Sequence, residues 1–163
     1  MWSGIAGESR SRVSDSTPAA GMSRRSAEYR TSRARRRALD VLYSADLRDE
    51  PPTGVLAETL GRMGSEVPDH MAYAVELVEG VAANADRIDE LISSYAEGWT
   101  LDRMPVVDRN LGRIGVYEIV FRDDIDDAVA LSEVVELADE LSTDGSARFL
   151  NGLLDRIREY ATR

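Results

Sequence analysis

Apolar residues recur along this chain at intervals of three and four, and no stretch alternates apolar with polar for long enough to make a strand. That periodicity confines the fold to helices that each bury one stripe. The first stripe is Ala34, Ala38, Val41, Leu42 and Ala45, predicting a helix over about residues 32–48 with Ser32 as N-cap and Pro51-Pro52 closing it. Thr53 can cap a short second helix carrying Val55, Leu56, Leu60 and Met63, with Gly64 near its end. Pro68 suits the first turn of a long segment reaching about Tyr95, which Gly80 and Asn84 are placed to divide. Pro105 opens a helix bearing Val107, Leu111, Ile114, Tyr117 and Phe121, ended by the acidic turn Asp123–Asp127. Two more are expected at about 129–142 and 146–160, the last burying Phe149, Leu150, Leu153, Leu154 and Ile157. The expectation is an all-α fold, a compact bundle of about six or seven helices with short connections.

Charge is distributed unevenly. The formal net charge is −10, yet residues 1–37 hold nine Arg against Glu8, Asp15 and Glu28, a local +6 that leaves −16 for the remainder. A basic arm on an acidic body confines contact with a polyanion to one region. Residues 1–31 are rich in Ser, Gly, Ala and Arg with scattered apolar residues, so they are expected as a disordered basic extension, and residues 32–163 as the folded domain. Met22, just before the densest arginine run, is a second candidate start codon. Seven of the fourteen residues from Arg24 to Arg37 are Arg. Cations in the first turns of a helix starting at Ser32 would oppose its dipole and repel one another, a cost of a few tenths of a kcal/mol each that a phosphate ligand would offset.

Catalysis finds little to work with. There is no Cys, one His and no nucleophile elbow, so no enzyme, cofactor or thiolate metal site is expected. Asp123, Asp124, Asp126 and Asp127 lack the Gly and terminal Glu of a calcium loop and read as a solvated turn. No apolar run approaches the roughly 18 residues of a membrane span, and none follows the N-terminus as a secretion signal would, so the expected location is cytoplasmic.

Three segments in order resemble the NusB family of bacterial transcription antitermination factors. Residues 32–43, SRARRRALDVLY, are similar to that family's arginine-rich entry into its first helix. Residues 107–118, VDRNLGRIGVYE, resemble its central helix ending in Tyr-Glu. LSEVVELA at 131–138 followed by RFLNGLLD at 148–155 resembles its last two helices, with the Phe-x-Asn-Gly signature. The resemblance spans about residues 32–158. It implies a helical bundle that binds the single-stranded boxA sequence of ribosomal RNA leaders together with the ribosomal protein NusE, within the RNA polymerase antitermination complex. By matching position it implies RNA contacts from Arg33 and Arg35, extended by Arg30, Arg36 and Arg37, and from Arg148 and Phe149. Phe149 is also in phase with Leu153 and Ile157, so base stacking and core packing both stand as readings. Asn151 and Gly152 are expected to serve close helix packing, and Asp108 and Glu118 to present an acidic docking face to the ribosomal protein. The family commonly carries a Lys just before its fifth helix and another near that helix's end, where this chain has Asp126-Asp127-Ala128 and Asp139. The competing reading is an acidic protein-interaction or homodimerising module, or a detached relative of the accessory domain of certain ribosomal RNA methyltransferases, without sequence-specific RNA binding.

Overall fold

The structure, a computed structural model, describes residues 24–162, with side chains from Arg30 onward. The expected disordered stretch and the Met22 question fall mainly outside the described residues. Among the described residues there are seven α-helices, one 3-10 turn and no strand. They are α1 (Arg24–Arg48), α2 (Pro52–Met63), α3 (Met71–Ala83), α4 (Ala85–Tyr95), the 3-10 turn (Leu101–Arg103), α5 (Val106–Phe121), α6 (Asp127–Leu141) and α7 (Ser146–Ala161). No helix among them is long and apolar enough to cross a membrane. The chain divides into two compact units, one ending at Ala83 and one beginning at Asn84.

In the first unit α1 packs on α2 and α3. The stripe read from sequence is the buried one: Ala34, Ala38, Val41, Leu42 and Ala45 are all at most 4% exposed. The helix nevertheless begins at Arg24, eight residues before Ser32, which lies inside it rather than at its N-cap. Residues 24–31 have only Ala27 and Tyr29 as apolar positions and show no apolar period, so nothing in their pattern announces a helix. Pro51, extended at φ −60° and ψ 133°, leads into α2 with Pro52 at a position where the missing N–H costs nothing. Gly64 ends α2 at φ 59°, its N–H bonding back to the carbonyls of Leu60 and Gly61. Pro68 precedes α3, its carbonyl accepting from Met71 N at 3.0 Å. The break in the long segment falls at Asn84, and Gly80 is buried within α3.

In the second unit α5 is the central helix, packed against α4, α6 and α7. Its Leu111, Ile114, Val116, Tyr117 and Ile119 are buried, as are Leu150, Leu153, Leu154 and Ile157 of α7. Gly115 sets the approach of α5 to α7: a Cβ there would lie 2.7 Å from Leu154 Cδ1. Arg113 holds Asp89 through Nε at 2.9 Å and Nη2 at 3.1 Å, joining α5 to α4. Arg156 donates to the carbonyl of Tyr95 from Nε and Nη2, satisfying the end of α4. The acidic turn is built rather than merely solvated. Buried Arg122 binds both oxygens of Asp124 at 2.8 and 2.7 Å, and Asp126 caps α6 by accepting from Ala128 N at 2.8 Å.

Candidate nucleic-acid interface

Four arginines form a continuous stripe on α1. At about 100° per residue, Arg30, Arg33, Arg36 and Arg37 fall side by side along the edge of the buried arc. Arg30 and Arg33 are exposed, and Arg36 and Arg37 are partly so. Arg30 Nη2 stands 3.4 Å from Asp69 Oδ2, just before α3, across a pair open to solvent. His70 lies beside Asp69. Burial first, then the guanidinium charges of Arg33 and Arg37, hold its imidazole below the ordinary histidine value, while Asp69 acts the other way. Its buried Nε2 makes no hydrogen bond among the described residues. Since α1 starts at Arg24, Arg33 lies more than two turns into the helix, where the terminal dipole has faded. The dipole cost expected from a start at Ser32 therefore does not apply, and mutual repulsion is the force a polyanion would relieve.

Arg35 departs from the expected set. It is 1% exposed, with its guanidinium 6.0 Å over the ring of Tyr73, in the core of the first unit. A guanidinium stacked there packs helix on helix and does not face a phosphate in solution. Its phase with Ala38 and Leu42, three and seven residues on, was the signal for this placement.

The second unit places Phe149 half-buried at the start of α7, edge-on to half-exposed Trp99 with ring centroids 6.3 Å apart. The two rings line a cleft of about 240 Å³ whose floor and wall include Met104, Pro105, Asp108 and Ser146. Arg148 is exposed beside Phe149. An open edge-to-face aromatic pair beside a cation is chemically suited to a flat base and its phosphate. Trp99 was missed by sequence reasoning because it sits in a loop, with no periodic neighbour to place it.

Asp108 and Glu118 are not a docking face. Asp108 is 4% exposed and Glu118 is 0% exposed, so neither can be presented to a partner from this fold. Asp108 accepts hydrogen bonds from the hydroxyls of Ser142 and Ser146, the latter at 2.8 Å, and so ties α5 to the α6–α7 connection. Asn151 is exposed, and the nearest atom to a Cβ at Gly152 is Arg156 Nη1 of the same helix at 3.2 Å, so close helix packing belongs to Gly115 instead.

A sequence model of the NusB family matches residues 32–159. The transcription antitermination protein NusB of Salinispora arenicola is 66% identical over 131 residues, covering 80% of this chain and 96% of that protein. That of Salinispora tropica is 68% identical over the same length and coverage. Among solved structures, NusB of T. maritima superposes with a TM-score of 0.69 at 35% identity, over 79% of this chain and 90% of that one. A crystal structure of antitermination factors NusB and NusE in complex with double-stranded RNA matches with a TM-score of 0.70 at 30% identity, over 81% and 97% of the two chains. With a family match over most of its length and relatives this similar, the chain belongs to the NusB family.

Proposed function

We propose that the chain is a transcription antitermination factor that binds boxA-type leader RNA of ribosomal RNA operons jointly with the ribosomal protein NusE, acting in the cytoplasm within the RNA polymerase antitermination complex. The observation that carries this reading is the stripe of Arg30, Arg33, Arg36 and Arg37 along α1 of a chain whose net charge is otherwise strongly negative. That stripe attracts a polyanion, whereas the strongly negative net charge of the remaining chain disfavours indiscriminate contact elsewhere. Phe149, Trp99 and Arg148 offer a second contact in which an unpaired base stacks on an open aromatic pair. The relatives named above and the solved NusB–NusE–RNA complex support the same assignment. No step of this function is catalytic: it consists of holding RNA and protein together.

The test is fluorescence anisotropy of the intact protein on a single-stranded boxA-type RNA and on a scrambled RNA of equal length, each with and without purified NusE. Preference for the boxA-type RNA that increases when NusE is added supports the reading. Equal affinity for both RNAs in both conditions favours the interaction-module alternative.

A further inference from the structure

The two helices that follow the acidic turn enclose a groove that the RNA reading leaves unused. Its floor is Leu131 and Val135 of α6, both half-buried, and Ala147 of α7, with Ala128, Ser132 and Asn151 completing the walls. Small side chains at these positions keep it open, to about 490 Å³. Its rim is acidic. Glu136 and Asp139 line the groove and are exposed. Neither carries an ion pair or hydrogen bond among the described residues, whereas Asp89 and Asp124 in the same unit are each held by an arginine. The whole of α6, from Asp127 to Leu141, contains five acids and no base.

We infer that the α6–α7 groove docks a basic amphipathic peptide segment, one whose small apolar residues enter between Leu131, Val135 and Ala147 while its Arg or Lys side chains pair with Glu136 and Asp139. The inference goes beyond the RNA and NusE reading and does not depend on it. The occupant follows from charge complementarity: an apolar floor takes the buried face of a peptide, and two uncompensated carboxylates on one rim select cations. Nucleic acid is repelled by the same rim, and a second copy of the groove would bring acid against acid. The strip is short, so the expected affinity is that of a transient peptide contact rather than of a permanent interface.

The experiment measures anisotropy of two labelled 14-residue peptides with the same Ala/Leu spacing, one bearing four Arg and the other four Glu, against the full chain. Binding of the Arg peptide alone, weakening as salt rises, is expected. The double substitution Glu136→Arg/Asp139→Arg should weaken it at least tenfold. Asp86→Arg/Glu159→Arg, an equal charge change at exposed sites outside the groove, should weaken it less than threefold. Ala147→Trp, which fills the groove without altering charge, should also abolish binding, and circular dichroism melts show whether each variant is folded. Nuclear magnetic resonance shifts on adding the Arg peptide to the unaltered protein should map to Ser132, Glu136 and Asn151, which tests the groove without any substitution. Equal affinity for the two peptides, equal weakening in the two double variants, or shifts that map outside α6 and α7 would overturn the inference.

Discussion

Replacing Asp108 with Ala removes a buried carboxylate that holds two elements together. Its oxygens accept from the hydroxyls of Ser142 and Ser146, and Ser146 is itself only 3% exposed. Hydrogen bonds to a charged group contribute about 1.5–3 kcal/mol each net of solvation, so two such bonds set a gross loss of about 3–6 kcal/mol. Some is recovered locally. The Ser146 hydroxyl, freed from the carboxylate, can donate to Ser142 Oγ at 3.1 Å while still accepting from Thr143 Oγ1 at 2.8 Å. Satisfying that donor recovers about 1–2 kcal/mol, leaving a net cost of about 2–4 kcal/mol. For a chain of this size each kcal/mol moves the midpoint by about 2–4 °C, so the melting temperature should fall by about 5–15 °C. Asp108→Asn keeps one acceptor and should lose less. Calorimetry on the three proteins, with NusE affinity measured below the lowest midpoint, separates the structural role from a docking role. A midpoint within 1 °C of the parent for Asp108→Ala, or a large drop in NusE affinity with unchanged stability, would refute the reasoning.

Other expectations follow from the same geometry. Gly115→Val should cost about 1–3 kcal/mol in urea unfolding, because even its Cβ lies 2.7 Å from a terminal methyl of fully buried Leu154, whereas Gly112→Ala, whose Cβ meets Ile92 and Leu150 at 3.6 Å, should be neutral or stabilising by up to about 1 kcal/mol. Burial raises the carboxyl pKa of Glu79, whose Oε2 has no hydrogen-bond partner among the described residues, so the native state binds more protons than the unfolded one just above the ordinary carboxylate range. Stability therefore falls as pH rises through that window, and Glu79→Gln should flatten the fall in melting midpoint just above the ordinary carboxylate range. Because Arg33 and Arg37 help depress His70, phosphates bound at those arginines should raise its pKa. His70 is the sole histidine, so one imidazole resonance titrated with and without RNA reads this directly; an unchanged midpoint in the bound state would count against contact at Arg33 and Arg37.

The buried stripes were legible because burial imposes its own period. Leu111, Ile114 and Tyr117 or Leu150, Leu153 and Ile157 could be assigned to one face from spacing alone, and the exposed arginines of α1 were legible as charge off that face. What misled was reading residue type ahead of phase. Arg35 and Glu118 carry charges that suggest the surface, yet both lie on apolar stripes, Glu118 following Ile114 by four residues and Leu111 by seven. Asp108 could not be placed at all, since its partners stand 34 and 38 residues away and exist only once α5, α6 and α7 have packed. The early start of α1 was hidden for the opposite reason: residues 24–31 have no apolar stripe to display.

The central claim is that the α1 stripe binds RNA through phosphates. It is tested most directly by the salt dependence of affinity for single-stranded boxA-type RNA, compared between the parent chain and Arg33→Ala/Arg36→Ala/Arg37→Ala. Removing one arginine–phosphate pair should reduce the magnitude of the log–log slope by about 0.7, so removing three flattens it by about 2, with little change in melting temperature because these side chains lie outside the core. A triple variant that keeps the parent's affinity and slope would contradict the account.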